Sequence, residues 1–487
     1  AWLSDGALAG VEAYVAGALA RFGVPGAAVA IVQGGALRFA RGFGVTELGD
    51  EGQPVGPDTR FIIGSIPKSM TALLVGTLVD EGRLGLGWDT PLTEALPQFA
   101  LADPAATAVV TFRDLLSMRS GVPRFDGPLF FRPLSPEQVV ESLADIPLSA
   151  PPGEVFGYTN QGYATAGFAA AAAAGARYGH DLYSTYARLM QERLYVPAGM
   201  GRVALDFDLG AADPDRATPH AVDLLLGERT AIPLGLERGG FSVIPAGGST
   251  WASAGDLARY LLLQLGRGVA PGGRRVVSEA ALLETHKPHT PMGSGTHFGL
   301  GWVVGAYRGL EHLTYGGGNL GYTSFVALLP AADLGVVVLT NASLAGPFTQ
   351  AVTDYVLEAA LGLEHAADAG HQAAEREIGA LLAQLGARLR PRPEPGEVAG
   401  LLGRYGDEPG VEARLDPTGA LVLTTAFGDF PLYPVAGQAG AFLVGLGPGV
   451  TATFAPSDRA GGSSGGSLTV GWLLGDPQPP LILTRTG

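Results

Sequence analysis

The chain is 487 residues long, 47% of them hydrophobic, with a formal net charge of −15 and no cysteine. This length predicts two or more domains and a large apolar core. The negative charge argues against nucleic acid and anionic membrane surfaces as partners, and the lack of cysteine excludes disulfides, thiol catalysis and cysteine metal sites.

Hydropathy and the first residue bear on location. No apolar run reaches the roughly 20 residues that a membrane-spanning helix needs, so no membrane span is predicted. Residue 1 is Ala, which fits removal of an initiator Met, a tag or a signal peptide. Localisation therefore stays open between the cytoplasm and the periplasm or extracellular space.

The first part of the chain predicts a helix, a hairpin and a second helix. Apolar residues recur every three or four positions over residues 4–22, as on one face of an amphipathic helix. Two apolar runs, 28–32 and 37–43, flank a Gly-Gly turn and predict a β-hairpin. A helix that opens in the stretch 63–70 is expected to end near Glu81.

A mostly helical region follows before the sheet resumes. Residues 120–155 and 201–250 have no clear period and are expected to be irregular, with short helices in the first of them. Helices are expected at 111–116, 160–174, 181–194, 256–265 and 348–361, and strands at 299–304, 321–329 and 334–340. The first domain therefore begins and ends with sheet and helix, and carries a helical insertion.

The last part of the chain changes character. Residues 364–389 are polar and helical, and the Pro-rich stretch 390–395 predicts a stiff, exposed linker. Short β runs then alternate with turns at 411–415, 420–425, 442–444, 451–454, 468–474 and 481–484, which predicts a small antiparallel barrel or sandwich. The Gly-Ser stretch 461–466 is interpreted as a loop tip.

Ser65 and Lys68 form the first candidate for chemistry. The sequence contains only two lysines, Lys68 and Lys287. Residues at i and i+3 of a helix share a face, so Lys68 Nζ can approach Ser65 Oγ as the base of a nucleophile. The alternative is that Ser65 is a helix N-cap and Lys68 a solvated first-turn residue, because short motifs often match by chance.

Tyr158 and Asn160 precede the next long helix. A tyrosine hydroxyl near a cation can move protons, and an asparagine amide can orient a substrate carbonyl. The alternative is a helix cap beside a packed ring.

A third segment, Tyr315-Gly316-Gly317-Gly318, belongs to a literal G-x-G-x-x-G that ends at Gly321. A nucleotide-binding loop needs a helix after it, whereas a β-type run follows here, so we reject that interpretation. Two options remain open, a strand edge that a substrate backbone can approach and a tight turn between strands.

The histidines do not indicate a metal site. Four of them, His286, His289, His297 and His312, lie in one region, but with spacing unlike that of zinc ligands. His312 is a candidate for the same cleft as Tyr315. No cofactor and no metal are predicted.

These three segments together resemble the penicillin-recognising serine hydrolases, a group that contains class C β-lactamases, D-Ala-D-Ala carboxypeptidases, D-aminopeptidases and family VIII esterases. Residues 115–123 are similar to the family segment LLTHTSGLP, and residues 246–258 to AGGLVSTAxDLA. The resemblance extends over roughly residues 8–345 and is specific, because several segments agree in order. The β-rich tail is similar to the lipocalin-like C-terminal domain of some relatives.

The resemblance implies an α/β (α+β) fold of three parts. Residues 1–363 would form a β-lactamase/transpeptidase-like antiparallel sheet flanked by helices. Residues 364–395 would form a helical and Pro-rich linker, and residues 396–487 a small antiparallel β-barrel domain. An oligomer formed through the C-terminal domain stays an option.

The resemblance also assigns roles. Ser65 would be the nucleophile, Lys68 and Tyr158 would move the proton, and the amides of Ser65 and Gly318 would form an oxyanion hole. The substrate would be held by Asn160, Tyr315, Gly316, Gly317 and Gly318.

One departure from the family pattern bears on the substrate. Tyr315-Gly316-Gly317 stands where the family usually has Lys-Thr-Gly or His-Thr-Gly, so the cation and hydroxyl that grip a substrate carboxylate are missing. We therefore expect an acyl-enzyme hydrolase of small-molecule or peptide substrates, either an esterase or a D-amino-acid-specific aminopeptidase or amidase. The alternatives are a β-lactamase or D-Ala-D-Ala carboxypeptidase, and a non-catalytic penicillin-binding sensor.

Overall fold

The computed structural model describes residues 2–82, 85, 87–238, 242, 244, 248–407, 409–446, 450–455, 466–473 and 479–486. The predicted loop tip 461–466, except its last residue, and the first two residues of the segment 246–258 lie outside these ranges.

The helices follow one another along the chain as α1 (Asp5–Arg21), α2 (Pro67–Glu81), α3 (Leu92–Ala95), α4 (Pro104–Val109), α5 (Phe112–Leu116), α6 (Gly127–Phe131), α7 (Pro136–Glu141), α8 (Asn160–Ala173), α9 (Leu182–Met190), α10 (Val196–Ala198), α11 (Phe207–Ala211), α12 (Leu234–Arg238), α13 (Ala254–Leu265), α14 (Glu279–His286), α15 (Gly346–Leu361), α16 (Asp368–Gly386) and α17 (Pro395–Val398).

The strands are β1 (Gly26–Gln33), β2 (Ala36–Gly44), β3 (Phe61–Ile62), β4 (His220–Val222), β5 (Arg229–Ala231), β6 (Trp251–Ala252), β7 (Thr290–Gly293), β8 (Thr296–Phe298), β9 (Val303–Tyr307), β10 (Leu310–Asn319), β11 (Tyr322–Leu329), β12 (Leu334–Thr340), β13 (Gly403–Tyr405), β14 (Val411–Leu415), β15 (Leu421–Thr425), β16 (Gly428–Pro434), β17 (Ala441–Val444), β18 (Val450–Ala455), β19 (Ser467–Trp472) and β20 (Leu481–Thr484).

The first sheet has eight antiparallel strands in the order β2-β1-β12-β11-β10-β9-β8-β7. Helices α1 and α15 cover one face, while α13 and the helical insertion cover the other. Every residue of β1 and β12 is buried, because both faces are covered. Their sequences are accordingly continuous apolar runs rather than alternating ones.

The predicted strand 299–304 is wrong over residues 299–302. Strand β9 begins only at Val303. The Gly299 amide donates instead to the Trp302 carbonyl at 2.7 Å, which closes a turn before the strand.

The two similar segments of the family resemblance lie at helix ends: residues 115–123 begin at the end of α5, and residues 246–258 contain the start of α13. Thr111 and Asp114 form a capping box at α5, and Ser253 and Asp256 form another at α13. In each box the side chains of the two residues satisfy backbone amides that the first helical turn leaves without a partner.

The C-terminal sheet is an antiparallel meander in the order β13 to β20 that closes on itself. A bridge pairs Tyr405 with Arg485, and the Gly406 amide donates to the Thr484 carbonyl at 2.8 Å. These contacts nearly close the sheet into a barrel at this seam. The mixed fold with a helix-flanked antiparallel sheet and a nearly closed eight-stranded C-terminal barrel confirms the predicted fold class.

The barrel packs against the helical insertion. The rings of Phe131 in α6 and Phe430 in β16 lie 6.1 Å apart, near right angles. A Cβ placed on Gly127 would lie only 2.9 Å from Leu481 of β20. This close approach brings the barrel beside the segment that contains α6. None of the helices in the described ranges has the length and apolar character to cross a membrane.

Candidate active site

Ser65 lies in the turn between β3 and α2. The turn is closed by hydrogen bonds from the Ile66 amide to the Ile63 carbonyl, at 3.3 Å, and from the Lys68 amide to the Ser65 carbonyl, at 3.0 Å. Helix α2 has its N-cap at Ile66, with no side-chain capping bond. The interpretation of Ser65 as an N-cap is therefore wrong, and its hydroxyl points to other partners.

Gly64 allows that turn to pass close to strand β10. Its φ of +56° is a left-handed conformation that glycine adopts readily. A Cβ at this position would lie 2.6 Å from the Gly318 amide nitrogen. Only a residue without a side chain lets the nucleophile turn run this close to strand β10.

Lys68 is fully buried, so the alternative of a solvated first-turn residue is wrong. Its Nζ lies 2.9 Å from Ser65 Oγ and 2.8 Å from Asn160 Oδ1. Burial lowers the pKa of Lys68 below its ordinary value of 10.5, while Tyr158 and Asp126 oppose that shift. Burial thus favours the neutral amine, which can accept a proton from a hydroxyl.

Tyr158 completes the contacts of the serine. Its hydroxyl lies 2.6 Å from Ser65 Oγ, and Lys68 Nζ lies 4.9 Å from the centre of its ring. The hydroxyl of Thr159 caps α8 by accepting from the Gly162 amide at 3.1 Å. The segment does cap the helix, but through Thr159. Tyr158 and Asn160 on either side of it both reach the serine-lysine pair, so the segment is more than a cap beside a packed ring.

Two residues that the sequence analysis missed support Asn160 from behind. Asn160 Nδ2 donates to Asp126 Oδ1 at 2.8 Å, and Arg124 Nε contacts Asp126 Oδ2 at 2.5 Å. The guanidinium of Arg124 also lies 5.0 Å from the centre of the Tyr158 ring. Both residues come from the stretch 120–155, whose lack of period gave no signal of a role.

The Gly-rich segment is a strand edge, not a tight turn. Residues 315–319 pair with β11 on one side, whereas β9 pairs with β10 only as far as Thr314. On that second side residues 315–319 have no strand partner within the described ranges. Gly316 and Gly318 are exposed and Gly317 is buried, as strand alternation requires. A strand follows, so the rejection of nucleotide binding holds.

Gly317 allows this strand edge to pack closely against the nucleophile turn. A Cβ on it would lie well inside van der Waals contact of the Ile63 carbonyl oxygen and Ser324 Oγ. Ser324 Oγ donates to that same carbonyl at 2.9 Å. The edge and the turn are therefore held together by backbone packing.

Two backbone amides lie at the nucleophile turn. The Ser65 amide donates to no acceptor among the described residues, and the Gly318 amide nitrogen lies next to Gly64. Backbone amides fixed in this way can stabilise the oxyanion of a tetrahedral intermediate.

Tyr315 is buried on the cleft side of β10, with its ring edge against Phe298 at 5.8 Å. Its hydroxyl has no partner within hydrogen-bond distance among the described residues, but it lies near enough to the Tyr158 side chain to interact with it. Burial raises the pKa of Tyr315 well above its ordinary value, and Tyr158 adds to the effect. The side chain is thus a neutral phenol, not the cation of the usual family motif.

His312 does not line this cleft. Three positions before Tyr315, it projects from the opposite face of β10 and contacts the ring of Tyr307 at 5.5 Å. Tyr307 packs against the α1–α15 side of the sheet. Within the described ranges, no group of three or more His, Asp or Glu residues is arranged to hold a metal ion.

A family model described as Beta-lactamase matches residues 11–361. The chain belongs to the beta-lactamase family. It is 30% identical to penicillin-binding protein 4 of Amycolatopsis lactamdurans over 350 residues, which are 67% of this chain and 83% of that protein. It is 27% identical over 352 residues to an unguisins hydrolase of Aspergillus campestris, 70% of this chain but only 62% of that longer protein.

Two solved structures share the fold over nearly the whole chain. A penicillin-binding protein homologue from Pyrococcus abyssi, described as octameric, has a TM-score of 0.63 and 22% identity, and covers 98% of this chain and 99% of its own. The crystal structure of SurE has a TM-score of 0.60 and 24% identity, with 99% of both chains covered. At these identities the likeness concerns the fold alone.

Proposed function

We propose that the protein is a serine hydrolase that acts through an acyl-enzyme on ester or amide bonds. One observation supports this above all, the position of Ser65 Oγ within hydrogen-bond distance of both Lys68 Nζ and the Tyr158 hydroxyl. A nucleophile in contact with two proton-transfer groups, one of them a buried amine, is the arrangement that hydroxyl activation needs.

In the proposed reaction Ser65 Oγ attacks the substrate carbonyl carbon while its proton passes to Lys68 or Tyr158. The amides of Ser65 and Gly318 stabilise the oxyanion. The intermediate collapses as the leaving group departs with a proton returned through Tyr158. Water then attacks the acyl-enzyme, which releases the acid and restores Ser65. Asn160 positions Lys68 and the acyl group.

We propose uncharged esters, or amides such as those of amino-terminal D-residues, as the substrates. Tyr315-Gly316-Gly317 lacks the Lys or His cation and the Thr hydroxyl of the family motif, which supports this choice, because no cation is available there to pair with a substrate carboxylate. The unguisins hydrolase by its name, and SurE, solved with D-Leu, are consistent with peptide substrates and D-residues.

We also propose that an apolar cavity between α6, the barrel and the end of β10 receives an uncharged group of the substrate. It encloses about 40 Å³, enough for a small aliphatic group, and Leu320, which lines it, directly follows β10. The other lining residues are Phe130 and Phe131 of α6 and Phe430, Val444, Val450 and Trp472 of the barrel.

The alternative is a β-lactamase, a D-Ala-D-Ala carboxypeptidase or a penicillin-binding sensor without turnover. The 30% identity to a penicillin-binding protein favours it. A substrate panel separates the two proposals. We expect turnover of p-nitrophenyl esters or D-aminoacyl p-nitroanilides and not of nitrocefin; nitrocefin turnover, or stoichiometric penicillin labelling without turnover, would favour the alternative.

The mechanism is tested by pre-steady-state kinetics. A p-nitrophenyl ester should release a burst of p-nitrophenol equal to the enzyme concentration, and Ser65→Ala should abolish both the burst and the turnover. Ser69→Ala is the matched control, because Ser69 lies in the first turn of α2, close to Ser65 in sequence, and its hydroxyl bonds to Ile66 and Tyr260 instead. An unchanged rate in Ser65→Ala would contradict the proposal.

We further propose that residues 1–363 form the hydrolase domain, 364–395 the linker and 396–487 a barrel domain that completes one wall of the cleft. The octameric homologue raises the option that the barrel forms oligomers. Removal of residues 396–487, followed by measurement of mass in solution and of turnover, separates assembly from a role in the cleft. If neither quantity changes, the barrel serves neither role.

A further inference from the structure

A fully buried carboxylate, Asp126, stands directly behind the site. It accepts a hydrogen bond from Asn160 Nδ2, and Asn160 Oδ1 in turn contacts Lys68 Nζ. An ionised carboxylate can only accept, so it fixes which end of the amide faces it. Asp126 thereby forces the oxygen of Asn160 toward Lys68.

The same carboxylate creates a problem for a lysine that has to act as a base. A nearby anion favours the protonated amine, and the carboxylate of Asp126 does raise the pKa of Lys68, against the larger effect of burial. In a buried site this attraction is weakly screened by solvent. Without compensation, the residue that orients Asn160 would hold the proton on Lys68.

Arg124 is placed to compensate. Its Nε contacts Asp126 Oδ2 at 2.5 Å, and its guanidinium faces the Tyr158 ring. The charge of Arg124 lowers the pKa of Lys68 and so acts against Asp126. Among the described residues, the polar and charged groups that contact Lys68 or shift its pKa are Ser65, Tyr158, Asn160, Tyr163, Asp126 and Arg124.

We propose that Arg124 and Asp126 are a pair of positioning residues in which Asp126 orients Asn160 toward Lys68 and Arg124 cancels the charge of Asp126, so that Lys68 stays available as a base. This proposal rests on the proposed function.

The pair is testable because its two members act on Lys68 in opposite directions. Arg124→Gln leaves the charge of Asp126 uncancelled, so Lys68 should titrate at higher pH than in the wild type. Asp126→Asn removes the anion, so Lys68 should titrate at lower pH. The double variant removes both charges and should return the titration close to that of the wild type.

The titration can be read without turnover. Incorporation of [6-13C]lysine labels only Lys68 and Lys287, so the NMR spectrum contains two lysine signals. The side chain of Lys287 is 64% exposed and serves as an internal reference. Arg188→Gln, which removes one charge from an exposed i,i+4 ion pair, is the matched control and should leave the Lys68 titration unchanged.

The pH profile of kcat/KM is the second measurement. In Arg124→Gln, kcat/KM should fall roughly tenfold at neutral pH and recover as the pH rises. A shift of the Lys68 titration by about one pH unit changes the fraction of neutral amine about tenfold. Arg124→Lys keeps the charge and should lose less. A role in packing alone would instead lower activity equally at all pH values and equally in both variants.

The outcomes separate the two proposals. Lys68 signals that titrate at the same pH in folded Arg124→Gln and Asp126→Asn as in the wild type would overturn this inference and leave the hydrolase proposal intact. Opposite shifts of the two variants support the charge balance even if Ser65→Ala retains its rate, which would contradict the hydrolase proposal alone. If Arg124→Gln does not fold, Arg124→Lys and Asp126→Asn replace it. Asp126→Asn should then move the titration of Lys68 to lower pH, whereas Arg124→Lys keeps the charge and should leave that titration at the wild-type pH.

Discussion

The two walls of the cleft differ in how completely their polar groups are satisfied. On the helix-borne wall, Ser65, Lys68, Tyr158 and Asn160 form one connected hydrogen-bond network. On the strand-borne wall, the Tyr315 hydroxyl has no partner within hydrogen-bond distance among the described residues and the glycines present bare backbone. The residues that activate the nucleophile and the residues that bind the substrate thus belong to separate elements. Substrate binding can therefore change while activation of the nucleophile is kept.

The largest effect is expected on the helix-borne wall, from Lys68→Met. Loss of the base should lower kcat/KM by roughly 10³-fold, within the range of general acid–base catalysis. The same change should raise stability, because the wild type must bury an amine. Activity with a p-nitrophenyl ester and thermal unfolding at several pH values measure the two effects.

The pH dependence of stability should also differ between the wild type and Lys68→Met. The pKa of Lys68 is lowered in the folded protein, so between that value and 10.5 the unfolded chain binds more protons than the folded one. Stability from this group therefore rises with pH through that window and is lowest below it. Lys68→Met should lack this rise. An unchanged slope of unfolding free energy against pH would mean that Lys68 is charged in the fold.

A second prediction addresses the contact between the walls. Gly317→Ala places a Cβ against the Ile63 carbonyl and should cost about 1–3 kcal/mol of stability, with loss of activity as the Ser65 turn shifts. Gly316→Ala is the matched control, since its added Cβ makes only ordinary contacts, with Phe325 at 3.6 Å and the Ser324 carbonyl oxygen at 3.9 Å. Equal thermal midpoints for the two variants would argue against a tight contact at Gly317.

The smallest effect is expected on the strand-borne wall, from Tyr315→Phe. The change removes a buried hydroxyl without a partner, so the free energy of unfolding should stay equal or rise by about 1 kcal/mol. We expect kcat/KM for an uncharged ester to change by less than roughly threefold, which is below 1 kcal/mol. A loss comparable to that of Lys68→Met would show that Tyr315 takes part in proton transfer and would remove the distinction between the walls.

The sequence predicts the helix-borne wall because its signals are local. A three-residue spacing is enough to bring Lys68 to Ser65, and a hydroxyl cap at Thr159 is enough to orient its two neighbours. Arg124 and Asp126 could not be predicted, since Asp126 meets Asn160 across 34 positions through packing of an unpatterned loop.

Strand identity was harder to predict than helix identity. The choice between strand edge and turn at Gly316–Gly318 depends on pairing with β11, which a Gly-rich sequence does not reveal. The expectation for His312 was wrong because an offset of three residues changes the face of a strand. Strand β16 was missed because Pro431 and Pro434 interrupt its pattern, although both are accommodated in the barrel.

The burial of Lys68 has a practical consequence for handling the protein. Of the two lysines in the sequence, Lys68 is inaccessible to reagents in the folded chain, whereas Lys287 at the end of α14 is open to solvent. Amine-directed coupling of a dye should therefore modify one ε-amine per molecule, at Lys287, and leave the catalytic amine unmodified.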